Sequence, residues 1–435
     1  MSREAGKETP AASRRWIAWV VAGVLVLALA VALVLMLQAD RVARFALDRA
    51  GDALGLEITA SGAAEYRIRG TPTLVVRDVV ARLPGAPQPV LTADRVLLSL
   101  PWSTLRGRLQ ELDFTRIELD APVLHLPALQ DWSATRPPGD GRVPTLREGI
   151  VVVDGTVVAD GWRVEAVDLS LPSLHADRPA KAHATGRYVA GETRIPFDLH
   201  AVLERPSPGH AIGVAGTATV VREGWRMPAR LRMGGSWQSD DAGWGIARMK
   251  LGARAAYESE GTRAPFALGM FAPLRHADGR TSLAPMHVAV RPMDGNENPI
   301  PTLDGAGALV LADALDLQLE GTIASWPRAW PALPAPLDDA ATPTAFDLDY
   351  TGDIAFDDVA MLALARGGAR ADARLRLPDI TAWLDASQAG SPLPPLDATA
   401  SVPRLEIAGA TLHGVEITLD DPAVDAADDP AASDD

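Results

Sequence analysis

Residues 315–320, with the sequence LDLQLE, alternate a leucine with a polar residue through three periods. Successive side chains of a β-strand point to opposite faces, so this alternation produces one aliphatic face and one polar face. An amphipathic helix would instead place its apolar residues at intervals of three and four. The segment therefore predicts an antiparallel strand that has one face in water.

The same period of two recurs along most of the chain beyond residue 57. It is clearest in residues 117–123, 167–171 and 415–419. Beyond residue 60 we expect only short helical segments, near residues 358–366 and 380–384. The chain is therefore predicted to be mainly β, with an antiparallel sheet that forms an elongated groove or an open sandwich and with few short helices.

Composition sets limits on what the chain can do. Its 435 residues are 47% hydrophobic and 22% charged, so they can bury a sizeable core. The absence of cysteine rules out disulfides, zinc–thiolate sites and a cysteine nucleophile. The formal net charge of −15 argues against a nucleic-acid partner, because phosphate binding requires a basic surface.

An apolar run without charges or amides occupies residues 16–37. Its 22 residues would extend about 33 Å as a helix, enough to cross a hydrocarbon core of about 30 Å. The alternative is a cleaved signal peptide, which has a shorter apolar core and a cleavage site of small residues. Leu37 and Gln38 do not suit such a site, so we expect a single uncleaved transmembrane helix.

Basic residues on the two sides of this run indicate its orientation. Four precede it and three follow it closely, namely Arg3, Lys7, Arg14 and Arg15, then Arg41, Arg44 and Arg49. The positive-inside rule therefore favours a cytoplasmic N-terminus, with the bulk of the chain across the membrane.

The chain divides into six predicted regions. They are a cytoplasmic tail (1–15), the transmembrane helix (16–37), a juxtamembrane helix (38–57), two β-rich regions (58–204 and 210–419) and an acidic tail (420–435). The boundary between the β-rich regions is expected at the Pro- and Gly-containing segment 205–209. The tail carries seven Asp and no Lys or Arg, which predicts a solvated, disordered terminus; an acidic docking motif is the alternative.

Known catalytic and metal-binding motifs are missing from the sequence. None of the eight histidines is spaced i, i+4 as in a helical metal pair, and there is no nucleophile elbow or phosphate-binding Gly-rich loop. Residues 294–298 begin like a calcium loop, but Pro299 and Pro301 interrupt it. We therefore expect no enzyme activity, no catalytic residues, no cofactor and no metal site.

What covers the aliphatic strand faces is the open question. A second sheet would cover them in a closed sandwich, and lipid tails could cover them in a groove. The chain has only seven Phe and four Tyr, so few large rings are available to fill a cavity. Twelve residues are candidates for a lipid-facing surface: Ile117, Leu119, Val123, Val167, Leu169, Leu171, Leu315, Leu317, Leu319, Val415, Ile417 and Leu419.

The sequence also resembles the AsmA-like family of bacterial envelope proteins. The residues that carry the resemblance are the N-terminal apolar run and the segments 54–58, 69–79, 93–102, 105–109, 117–126 and 402–419. It covers both ends of the chain, while residues 140–400 are supported only by their β pattern. The resemblance implies no catalytic residues in this chain.

The resemblance implies a protein anchored in the bacterial inner membrane, with a periplasmic β groove that handles phospholipid during outer-membrane biogenesis. The alternative function is a scaffold or accessory anchor for an outer-membrane assembly or secretion machine, with an envelope protein as its partner. About 16 strands at about 4.8 Å each reach only about 77 Å, so we expect a partner, self-association or a shuttling step.

Overall fold

The computed structural model describes most of the chain beyond the predicted membrane helix. It covers residues 47–421 and Val424, except 53, 63, 68–69, 103–112, 137–142, 241, 260, 294–297, 313, 331–332, 334, 336, 339–341, 355, 387–394 and 408. The predicted transmembrane helix, most of the juxtamembrane helix and most of the acidic tail lie outside these residues. No helix in the described part of the chain is long and apolar enough to cross a membrane.

The described residues form two compact units, the first within residues 1–136 and 152–158, the second within residues 137–151 and 159–435. The first unit contains β1 (Glu57–Ala60), β2 (Glu65–Arg67), β3 (Thr73–Arg82), β4 (Pro89–Ser99), β5 (Asp113–Phe114), β6 (Arg116–Asp120), β7 (Val123–His125), α1 (Leu126–Ala134) and most of β9 (Ile150–Val158). β3 pairs antiparallel with β1, β2 and β4, and β4 pairs antiparallel with β6 and β7. β7 pairs with β9 in parallel, so the sheet is mixed.

The core of the first unit forms on one face of β3. Val76 and Val79 are 3% and 6% exposed, and Leu47, Ile58 and Val96 pack against them. Val76 and Val79 point to the same side of β3 because Asp78, which lies between them, has a positive φ of 50°. This backbone conformation interrupts the alternation of side-chain directions. This local kink lets two residues that are three apart share one core.

The second unit is built from a long series of hairpins. After β8 (Thr145–Leu146) its strands are β10 (Trp162–Leu171), β11 (Ala180–Ala190), β12 (Thr193–Leu203), β13 (Ala211–Arg222), β14 (Trp225–Asp240), β15 (Gly243–Ser259), β16 (Thr262–Ala277), β17 (Arg280–Pro292), β18 (Thr302–Leu311), β19 (Leu315–Ser325), β20 (Thr344–Gly352), β21 (Val359–Arg366), β22 (Ala369–Arg376), β23 (Leu396–Ile407) and β24 (Ala410–Leu419), with α2 (Leu377–Ala386) between β22 and β23. From β10 to β24, each strand pairs antiparallel with the next.

The prediction of a mainly β chain with few helices is confirmed, and the period of two is its cause. In β12 every second residue is exposed, and β19 shows the same alternation from Leu315 to Ile323. Neither segment could form an amphipathic helix, because its apolar residues recur at every second position.

Several local predictions need correction. Residues 359–366 form strand β21 rather than a helix, because their pairing with β20 and β22 overrides the helix propensity of Ala, Met and Leu. Residues 205–209 connect β12 to β13, which pair in one sheet, and the two compact units divide the chain elsewhere. The helix near residues 380–384 is present as α2.

The longest strands of the second unit, β14 to β17, each contain an irregularity toward one end. Their registers shift between Gly234 and Ser236, Ile246 and Met249, Phe271 and Leu274, and Leu283 and Met286. A bulge adds a residue to one strand and bends it. The side chains of Ile246, Met249, Ala272 and Met286 are buried at these positions. The principal core of this unit therefore lies at the bulges.

We expect Met249→Ala to destabilise the protein by about 2–5 kcal/mol, because Met249 is only 2% exposed and its removal leaves a cavity. The measurement is urea unfolding of the full-length protein in detergent, followed by the circular dichroism of the sheet. Met361→Ala is the matched control, since Met361 is 57% exposed and should change stability by less than about 0.5 kcal/mol. Equal effects of the two substitutions would contradict this assignment of the core.

Candidate functional site

One face of the second unit carries an unbroken row of apolar residues. Residues directly opposite each other in an antiparallel pair lie on the same face, so the registers of successive pairs can be followed across the sheet. From β11 to β24 this row contains Ala182, Ala201, Val214, Met233, Leu251, Met270, Val288, Gly305, Gly321, Phe346, Leu364, Ala371, Ala400 and Ile417. We call these fourteen residues the apolar row, and the face that bears them the apolar face.

The apolar row offers hydrocarbon contacts and no side-chain hydrogen bonds. Thirteen spacings of about 4.8 Å give roughly 60 Å of continuous aliphatic surface, measured along the sheet. The neighbouring residues two positions away extend it, as Leu199, Leu231 and Leu268 do. Such a surface can bind only through dispersion and the exclusion of water.

The apolar face is not buried as the inside of a closed sandwich would be. In the apolar row only Phe346 is buried; Ile417 is 40% exposed, and the other twelve residues are between these states. Among the described residues, the strands of this unit make extensive contacts only with their sequence neighbours, and α2 contacts β22. The structure therefore leaves most of this face half exposed.

The opposite face of the sheet is charged. Glu165 lies between Arg163 and Arg187. The hydrogen bond from Arg163, the larger effect, and the one from Arg187 lower the pKa of its carboxyl group. Glu258 forms ion pairs with Arg226 and Arg263. These ion pairs stand where the period of two predicts the polar side of each strand, so this face is in water.

Nine of the twelve predicted lipid-facing residues lie on the apolar face. Ile417 belongs to the apolar row itself, and Leu419 and Val415 flank it on β24. Leu319 pairs with Gly307 and Leu348, which neighbour the row on β18 and β20, and Leu317 and Leu315 follow along β19. Leu169 pairs with Ala184 on β11, and Val167 and Leu171 lie beside it on β10.

The other three predicted residues belong to the first unit, where they do not share one face. Leu119 pairs with Val96, which packs on the core of that unit, and Ile117 follows on the same side. Val123 pairs with Thr92, which pairs in turn with Val80 on the side of β3 away from the buried Val79. Ala121, with a positive φ of 46°, separates Leu119 from Val123 and breaks the alternation that the sequence suggests.

An ion pair between distant strands shows that this sheet is strongly curled. The Arg222 guanidinium at the end of β13 donates from Nη2 to Oδ2 of Asp357, which follows β20, over 3.1 Å. Seven strand spacings would separate these strands by about 34 Å in a flat sheet. The hydrogen bond to Asp357 raises the pKa of Arg222 despite partial burial. Arg376 Nε also donates to the backbone oxygen of Asp357, over 3.0 Å.

The sheet curls toward its apolar face. The buried clusters between β13 and β20 lie on that face: Met249 and Met286 among the bulges, and Leu315 and Tyr350 beside the loop that holds Asp357. The Tyr350 hydroxyl donates to the backbone oxygen of Asp353 over 2.7 Å, and burial raises its pKa to about 12. The apolar face is therefore concave in this part of the sheet.

The apolar face also reaches a small cavity beneath the β19–β20 connection. The connection is tied to β23 by a hydrogen bond from Glu406 N to Ala335 O, and Trp326 and Leu337 cover the sheet there. The cavity has a volume of about 120 Å³, and its floor includes Leu364 and Ala371 of the apolar row. This cavity is smaller than typical ligand pockets, so it suits the tip of a flexible chain.

A cluster of possible metal ligands occupies the polar face, and the sequence patterns do not reveal it. His183 on β11 lies opposite His200 on β12, and Asp198 is two residues before His200. The helical spacing rule missed these residues because strands bring ligands together across a pair and at i, i+2. The sequence signal that could have found the cluster is Asp198 and His200, two residues apart on one strand, together with His183 on the strand before it.

Comparison of the chain with protein-family models, with curated proteins and with solved structures finds no match.

The ionisation of Tyr350 tests whether its hydroxyl is buried on the apolar face. We expect one tyrosine to ionise near pH 12, measured as tyrosinate absorbance of the full-length protein, and Tyr350→Phe to remove that step. Because folding raises this pKa from 10.0, the unfolded chain loses the proton first. The contribution to stability is complete below about pH 10 and is lost as the pH rises to about 12. If the step lost in Tyr350→Phe lies near pH 10 instead of pH 12, burial of this hydroxyl is contradicted.

The ion pair that accompanies the curl can be tested by a double-mutant cycle. We expect Arg222→Met and Asp357→Asn to be coupled by about 1–3 kcal/mol in urea unfolding, since charge-assisted hydrogen bonds join them. Arg226 and Glu258, an ion pair between adjacent strands, form the control cycle, with an expected coupling below about 1 kcal/mol. A coupling energy of zero for Arg222 and Asp357 would show that this ion pair does not hold the curl.

Proposed function

We propose that the protein binds phospholipid by laying its acyl chains against the apolar face, and that it transfers the lipid along this face. The observation that carries the proposal is the apolar row, which is continuous over fourteen strands without one polar side chain. A flexible hydrocarbon chain could lie anywhere along such a surface, because no position demands a specific polar partner.

Hydrocarbon fits this face better than a polypeptide does. The backbone groups of the inner strands are already paired within the sheet, and the apolar row offers no side-chain donor or acceptor. A peptide laid on the face would lose water from its own N–H and C=O groups without replacement, at a cost of about 1–3 kcal/mol for each unsatisfied group. An acyl chain has no such groups and gains about 0.8 kcal/mol for each CH₂ that it buries.

The half-exposed state of the face supports the same occupant. Aliphatic surface in water costs about 25 cal/mol for each Å² left uncovered, so a continuous apolar surface of this length favours a cover. The cavity below Trp326 ends the face with apolar walls. Arg366, 8% exposed, lies at its rim and donates to Thr344 Oγ1 over 3.0 Å, so a cation stands beside the apolar surface.

The cellular setting of this proposal comes from the sequence. Residues 16–37 would anchor the protein in the inner membrane as a single span, and the β-rich units would lie in the periplasm. As an AsmA-like protein it would contribute to outer-membrane biogenesis and have no enzymatic role. With roughly 60 Å of apolar surface it would act with a partner, with a second copy or as a shuttle.

A scaffold is the second candidate function, and strand β24 favours it. β24 pairs with β23 and with no second strand among the residues that the structure describes, and most of its side chains are exposed. Such an edge can add a strand from an envelope protein partner. In this role the apolar face would serve as a docking surface and would carry no lipid.

Photo-crosslinking in cells tests the lipid proposal on the full-length protein. A photoreactive amino acid replacing Leu268 on the apolar face should give a phospholipid adduct, detected by mass spectrometry after purification. The same amino acid at Ala267, which pairs with Arg254 and Arg291 on the opposite face, should give none. Protein adducts at Thr418 of β24, without lipid adducts at position 268, would support the scaffold and contradict lipid binding.

Matched substitutions separate lipid binding from folding. We expect Leu268→Asp to reduce co-purifying phospholipid by about tenfold or more, since a carboxylate is costly beside acyl chains. Ala267→Asp adds the same charge beside Arg254 and Arg291 and should leave the lipid unchanged. Both variants should keep the circular dichroism of the wild type, because Leu268 is only half-buried. Unchanged lipid in a folded Leu268→Asp variant would argue against the proposal.

A further inference from the structure

His183, Asp198 and His200 form a compact group on the polar face of the second unit. His183 Nε2 lies 2.8 Å from Asp198 Oδ1, and His200 Nδ1 lies 3.8 Å from the same oxygen. The two imidazole rings stack with their centroids 4.2 Å apart. One ligand atom from each side chain falls within 4.8 Å of the other two, which is a separation that one metal ion could bridge.

The sheet places these three side chains together independently of any ion. β11 and β12 pair without a register shift over eleven residue pairs, from Ala180 opposite Leu203 to Ala190 opposite Thr193. This ladder sets His183 directly opposite His200 and Thr185 opposite Asp198, so all three ligands point to the same side. The backbone is thus already organised for binding, and only side-chain rotations are needed.

An ordinary ion pair accounts for only part of this arrangement. Asp198 can accept a hydrogen bond from His183, but it does not require a second imidazole stacked on the first. Two stacked rings would repel each other if both were protonated. A metal ion uses both rings in their neutral form and the carboxylate as a third ligand, with nitrogen and oxygen distances of about 2.0–2.2 Å.

We propose that His183, Asp198 and His200 bind a divalent transition metal ion of the zinc type. Two imidazoles and one carboxylate suit Zn²⁺, Ni²⁺ or Cu²⁺, whereas Mg²⁺ prefers oxygen ligands alone. The side chains of His183 and His200 are 44% and 65% exposed, so the ion can enter from solvent and water can complete its coordination. The site lies on the face opposite the apolar row, and it does not depend on lipid binding.

Metal titration of the full-length protein in detergent tests this site. After treatment with a chelator, the protein is titrated with ZnCl₂ in excess MgCl₂, which occupies weak oxygen sites such as the acidic tail. Isothermal titration calorimetry should show one Zn²⁺ bound to each chain. The melting temperature should rise with Zn²⁺, because the ion binds the folded ladder and not the unfolded chain.

Substitutions of the ligands and one matched control define the result. His200→Ala and Asp198→Asn should each weaken Zn²⁺ binding by about tenfold or more, and Asp198→Asn still accepts the hydrogen bond from His183. His287→Ala removes an exposed strand histidine elsewhere in the sheet and should leave Zn²⁺ binding unchanged. Absence of saturable Zn²⁺ binding, or unchanged affinity in folded His200→Ala, would overturn the proposal.

Discussion

The second unit depends on the register of its antiparallel strand pairs. Each register forces directly opposite residues onto one side of the sheet, so an alternation that begins in one strand is carried to the next. A slip of one residue between any two strands would turn the following apolar residues to the polar face. The register shifts at the bulges lie outside the apolar row, so the row keeps to one face over fourteen strands, and Ala182 on β11 is on the same side as Ile417 on β24.

The bulges and the curl follow from this continuity. A long sheet with one uncovered aliphatic face lowers its exposed apolar area by bending toward that face. The irregularities near Ser236, Met249, Leu274 and Met286 allow four long strands to bend at one level, and the buried cluster forms there. Arg222 and Asp357 then meet although seven strand spacings separate their strands, so the curl and this ion pair accompany each other.

Many elements could be predicted because they depend on local pattern. The alternation in residues 315–320 predicts β19, and nine of the twelve candidate residues share the apolar face because their strands keep a strict period of two. Predictions failed where pairing opposed propensity, as in β21, whose Ala, Met and Leu residues favour a helix. The alternation predicted for residues 117–123 also failed, at Ala121, since a positive φ at a non-glycine residue leaves no signal in composition.

The sequence by itself determined that the chain is mainly β, that each strand has an apolar and a polar side, and that residues 16–37 could span a bilayer. Only the tertiary structure decided that the apolar sides join in one half-exposed face, and that His183 meets His200 and Arg222 meets Asp357. The physical reason is the range of the interactions. Alternation and propensity act over a few residues, whereas register, bulges and curl depend on pairing between distant segments of the chain.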